Sequence, residues 1–208
     1  MADCIGRQCV TGGRPYNEGI LEAAKISEQA VEADPEDAAA LAVAAWVFSI
    51  FIGRLALARG YAERALQLHP NSNFVCTNAG FAFICLGEFA IARKALENAF
   101  RLSPLDPRDW LNFLGRGMVA FFEQDFEEAL ILLTRAIDLG PSAPVPWRYR
   151  AATLIHLGRT KEAQDAVMTL RSLAPVPPTV KELSERTKYA HSWMSELLFN
   201  ALKKAGHE

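Results

Sequence analysis

The chain has 208 residues, half of them hydrophobic, and a net charge of −2. Such a composition folds rather than staying disordered, and its charge excludes a nucleic-acid or anionic-membrane surface as the default partner, because phosphate binding needs a basic face. No run reaches the roughly 18–20 apolar residues of a membrane span, and no basic start leads into an apolar run as in a secretory signal, so a cytoplasmic location is expected.

In chain order, residues 1–16 carry Gly6, Gly12, Gly13 and Pro15 without a clear period and read as a loose lead-in. Asn17 is placed to cap a helix running through Ala23, Ile26 and Ala30 to Pro35. Residues 39–70 give a very apolar helix (Leu41, Val43, Trp46, Val47, Phe48, Ile50, Phe51, Ile52), a turn at Gly53, and a second helix with a slim seam of Ala58, Ala62 and Ala65. Residues 73–104 repeat the plan around Gly87: Gly80, Ala92 and Ala99 keep the crossing slim, and Phe83 and Leu96 supply bulk. Residues 110–141 follow, with Asp109 as expected N-cap and Glu127-Glu128 suiting a helix N-terminus. Residues 144–175 form a further pair, with Trp147, Ala151, Leu154, Gly158, Ala163 and Val167 in register. Prolines 35, 70, 104, 141 and 175 close successive pairs at steps of 35, 34, 37 and 34. Generic helices do not keep such a period.

Ser103–Pro107 forms a long linker, and Pro175-Val176-Pro177-Pro178 is a stiff break. Thr179 should cap a short helix to about Thr187. A final helix then carries the stripe Ala190, Trp193, Met194, Leu197, Leu198, Ala201, Leu202 and Ala205, and Gly206 ends it. This stripe exceeds the apolar patch that a soluble monomer shows. Residues 179–208 therefore read as a capping pair over Leu154, Val167 and Leu170, with pairing to a second chain in a twofold dimer as the alternative.

Cys76, Ala79, Gly80 and Phe83, then Ala92, Leu96 and Pro104, stand where a tetratricopeptide repeat carries W-x2-L-G-x2-Y and A-x3-F…P. Residues 39–175 thus resemble tetratricopeptide repeats. The resemblance implies an all-α, right-handed superhelical solenoid of antiparallel helix pairs over residues 17–178: a partial repeat 17–35, then repeats 39–70, 73–104, 110–141 and 144–175. Trp46 stands where the family prefers glycine, which implies helices spread apart there. A narrower likeness rests on Arg64-Ala65-Leu66, His69-Pro70-Asn71-Ser72, Leu102–Pro107 and Leu202–Gly206. These are similar to the repeat region beside bacterial class III adenylate or guanylate cyclases and related regulators. That likeness implies a regulatory portion sensing a small apolar ligand, without the α/β catalytic domain and its paired metal-binding aspartates.

No motif for catalysis stands out: there is no phosphate loop, nucleophile elbow or H-E-x-x-H. His69, His156, His191 and His207 fall in separate helix pairs without ligand spacing. Cys76 and Cys85 are nine apart on one helix and face opposite ways; Cys4 and Cys9 lack a second ligand pair, so reduced thiols are expected. The reading is a non-enzyme with no metal or cofactor and a protein or peptide partner. The resemblance puts the first helix of each repeat on a concave groove. In that register the groove collects Val47, Phe51, Phe74, Phe81, Ile84, Leu114, Met118, Phe121 and Phe122, with Asn78, Arg148 and His156 as its polar points.

Overall fold

A computed structural model describes residues 1–11, 14–104, 106, 108–174 and 177–207. The parts of the lead-in, the linker and the closing break that fall on Gly12, Gly13, Leu105, Pro107, Pro175 and Val176 lie outside the described residues. Among those described, every regular element is helical. The chain forms two compact units, Met1–Pro104 with Lys188–Ala190, and Leu105–Thr187 with His191–Glu208.

The first unit holds three helical hairpins. They are α1 (Ala2–Thr11) with α2 (Tyr16–Ala33), α3 (Ala38–Val47) with α4 (Leu55–Leu68), and α5 (Asn73–Leu86) with α6 (Phe89–Leu102). The lead-in is therefore largely a helix. Gly6 permits it, because a Cβ there would stand 2.7 Å from the Trp46 ring. Ile5 and Cys9 are buried, and an Arg7–Asp3 ion pair of 2.8 Å ties successive turns. The next helix starts earlier than Asn17 suggests: its cap is Pro15, and Asn17 lies in the first turn.

The third hairpin shows how the repeat closes. Ser72 caps α5 by accepting the Val75 N–H, and Gly87 ends it at φ +76°. A Cβ on Gly80 would lie 2.8 Å from Leu96 Cγ, so the glycine sets how near α5 lies to α6. Ala92, Leu96 and Ala99 are wholly buried along that seam. The second hairpin departs from this plan by one residue. From its cap Asp37 to its turn Gly53, the first helix is one residue longer than its counterpart from Ser72 to Gly87. The excess is taken up as a π-helical turn over Phe48–Ile52. Counted from the caps, the residue matching Gly80 is then Ala45 rather than Trp46. The helices need no spreading at Trp46, whose ring packs towards Gly6, with Phe51 5.3 Å away.

The second unit contains α7 (Asp109–Phe122) with α8 (Phe126–Leu139), α9 (Pro144–His156) with α10 (Thr160–Ser172), and then α11 (Val180–Arg186) and α12 (Ser192–Lys204). Gly117 and Leu133 reproduce the Gly80–Leu96 approach, at 2.9 Å to a built Cβ. The cap of α7 is Arg108, not Asp109. Asp109 is buried instead, and burial, helped by Asp106, raises its carboxyl pKa. Thr179 and Glu182 form a reciprocal capping box on α11. α12 packs on α9 and buries Met194, Leu198, Phe199, Ala201 and Leu202. Phe199 lies outside the expected stripe yet is buried, whereas Trp193 is 39% exposed.

The hairpin turns carry a left-handed residue at Gly53, Gly87, Gln124 and Gly158, with φ between +64° and +77°. Three are glycine, as that region favours; Gln124 is the exception. The closing prolines also have a repeated partner. The Cys76 thiol donates to the Pro70 carbonyl at 3.2 Å, and the Trp147 indole N–H donates to the Pro141 carbonyl at 3.0 Å. Both donors hold the first signature position of the repeat, which explains why a thiol substitutes for tryptophan there.

Candidate functional site

The row of first helices is where the repeat plan places a binding surface, and each unit presents its own stretch of it. In the first unit this row is largely closed. Every residue from Val75 to Cys85 of α5 is buried, including Asn78, Phe81 and Ile84. Val47 and Phe51 are buried on the preceding helix, and Phe74 is half-buried.

Part of the cover comes from residues without a visible sequence period. Arg7 on α1 reaches Asn78, donating to its Oδ1 at 3.3 Å, while its guanidinium lies 4.9 Å from the Trp46 ring centroid. Asn78 in turn donates to the Phe74 carbonyl at 2.9 Å. The polar point of this row is thus engaged within the chain. At the other end of the helices, the Lys188 N–H donates to the Ile50 carbonyl at 3.0 Å, and the Ala190 N–H to the Cys85 carbonyl at 2.8 Å. The Arg7 contact has a weak sequence signal, the Asp3/Arg7 and Ile5/Cys9 spacings of a helix. Lys188–Ala190 has none.

In the second unit, Leu114, Met118, Phe121 and Phe122 are buried, Arg148 is half-buried, and His156 is exposed. The structure gathers the aromatic members into one cluster. Phe121 meets Tyr149 and His156 at 5.4 and 5.6 Å, and His156 stacks on Phe126 at 4.5 Å. Phe122 meets Trp193 of α12 edge-on at 6.1 Å, and His156 Nε2 lies 3.1 Å from the Leu197 carbonyl. Phe126, Tyr149 and Trp193 were outside the expected site. Arg148 stands with Arg171 near His207, a buried side chain whose pKa is lowered first by burial and then by these two cations.

The chemistry of the row is that of packing and main-chain hydrogen bonding. No group of three or more metal-ligating side chains assembles among the described residues. All four cysteines are free. Burial pushes the Cys85 thiol up to about 12 and raises Cys9 and Cys76 as well, which makes these three poor nucleophiles. No helix among the described residues is long and apolar enough to cross a membrane.

A family model described as tetratricopeptide repeat matches residues 82–144. No curated protein matches the chain. Among solved structures, PilW, described as a widely conserved type IV pilus biogenesis factor, aligns over 99% of this chain and 90% of its own at 20% identity, with a TM-score of 0.66. A thermophilic TPR protein of Thermus thermophilus aligns over 95% of this chain and 99% of its own, also at 20% identity, with a TM-score of 0.65. A tetratricopeptide repeat protein of Parabacteroides merdae aligns over 90% and 78% at 14% identity, with a TM-score of 0.61. At these identities the likeness shows the fold, an all-α solenoid of tetratricopeptide-repeat type. None of these matches supports the likeness to regions beside nucleotide cyclases.

Proposed function

We propose that this chain, built on tetratricopeptide repeats, is a non-catalytic interaction module that takes a peptide segment of a protein partner against its row of first helices. The observation that carries the reading is the repeat register. Left-handed turns recur at Gly53, Gly87, Gln124 and Gly158, and the same donor position bonds the closing proline in two repeats. Within each unit, stacked hairpins held this way present their first helices side by side, the usual use of such repeats. Proteins with this fold generally mediate protein–protein contacts.

Of the twelve residues expected to line the groove, nine are buried in the present packing. The other three keep some exposure: Phe74 in the first unit, and Arg148 and His156 in the second. Phe74 supplies apolar area for such a contact. We place the module in the cytoplasm, where its four free thiols stay reduced. We read α12 as the cover of α9 rather than as a dimer contact, since its most apolar side chains are already buried. The test is a photoreactive residue at Phe74, with Ile91 on α6 as the control on the second-helix row. One defined partner crosslinked from Phe74 and not from Ile91 supports the reading. Crosslinking from Ile91 alone moves the site to the other row.

A further inference from the structure

We infer that Lys188–Ala190 is a releasable self-ligand that occupies, from within the chain, a site on the first unit for an extended peptide. The inference rests on the proposed role of the first-helix row and narrows its occupant to an extended segment rather than a helix.

A helix leaves its last carbonyls without intrahelical partners. At the end of α5, Gly87 N–H satisfies Ile84 and Glu88 N–H satisfies Phe83. The Cys85 carbonyl, next along the chain, receives the Ala190 N–H instead. At the π-helical turn, the Gly53 and Arg54 N–H groups both go to Phe48, and the Ile50 carbonyl receives the Lys188 N–H. Two neighbouring helix ends thus offer one acceptor each to a crossing chain.

The crossing segment donates from alternate residues, Lys188 and Ala190, as one edge of an extended chain does. Thr187 (φ −103°, ψ 127°) and His191 (φ −124°, ψ 134°) flank it with extended dihedrals, and the chain bends at Ala190 and His191 on its way into α12. The Lys188 stem lies over Gly53, where a Cβ would come within 3.2 Å of its Cγ. Gly53 therefore clears the path as well as making the turn. Two main-chain donors and one aliphatic stem belong to this contact, features that another segment with a long side chain two residues before a small one also offers. The anchorage is shallow: Lys188 and Tyr189 are half-buried and Ala190 is exposed.

The test uses the full-length chain carrying Lys188→Pro and Ala190→Pro, which deletes both donors. The probe is a fluorescent synthetic peptide of the chain's own residues 185–192. It should bind this variant at least about tenfold more tightly than the native chain, whose site is filled, and the peptide with the same two prolines should not bind. Equal affinity for both proteins, or no binding to a variant with native helix content, overturns the inference. Crosslinking from Phe74 is a separate readout, so failure of the self-ligand leaves the interaction reading to its own test. Hydrogen exchange on the native chain decides the matter if the variant does not fold. The Lys188 and Ala190 amides should be protected yet exchange by local opening, faster than the slowest core amides. Unprotected exchange, or exchange only through global unfolding, also overturns it.

Discussion

Gly80→Ala probes the helix crossing that sets the repeat. The new Cβ would stand 2.8 and 2.9 Å from Leu96 Cγ and Cδ2, where carbon atoms prefer about 3.5–4.0 Å. Leu96 is fully buried and has little room to yield. Overpacking of this kind costs about 1–3 kcal/mol, against a gain of about 1 kcal/mol for replacing glycine by alanine inside a helix. The net expectation is a loss of about 1 kcal/mol. The fifth repeat suggests the rescue. By register its corresponding residues are Ala151 and Val167, both buried, so one side grows as the other shrinks. Leu96→Val alone should cost about 1 kcal/mol, and the double variant should be more stable than the sum of the singles by about 1 kcal/mol or more. Urea unfolding followed by circular dichroism, with m-values compared, reads all four proteins. A Gly80→Ala protein stabilised by its full helix gain, or strictly additive singles, would refute the close approach.

Gln124 holds a left-handed turn where Gly53, Gly87 and Gly158 stand in three other hairpins, so Gln124→Gly should raise stability by up to about 1 kcal/mol in the same assay. His207 is buried with a pKa below its ordinary value, so the folded chain binds fewer protons there than the unfolded one. Its contribution is full above the ordinary pKa of 6.5 and is lost as pH falls through that value towards the folded pKa. His207→Gln should flatten the decline in melting temperature below pH 6.5. A chain ending at Pro178 loses the cover that Met194, Leu198, Phe199 and Leu202 give α9. It should melt lower and aggregate; equal stability with a change from dimer to monomer in light scattering would establish pairing instead.

Much of the fold is legible because the repeat writes itself several times. Closing prolines, turn glycines and small seam residues mark a succession of helical hairpins, and every regular element among the described residues is helical. The errors have local causes. Proline spacing of 35 against glycine spacing of 34 signals one added residue in the second repeat, and missing it places Trp46 a position off. The first helix hides because its buried stripe, Ala2, Ile5, Gly6 and Cys9, is short and includes a glycine. Asp109 resembles a cap but lies one residue inside the helix, beside a linker with its own Asp106. The groove is the least legible part. Periodicity tells which side chains share a helix face, whereas their cover depends on contacts across more than seventy residues, Arg7 with Asn78 and Ala190 with Cys85.

If the row of first helices takes the partner, site-specific photocrosslinking in the cells that make the protein separates Phe74 on that row from Ile91 on the other. Phe74 should capture one defined protein through a short extended segment, identified by mass spectrometry of the crosslinked peptide, while Ile91 captures none. Capture from Ile91 with none from Phe74 would contradict that placement.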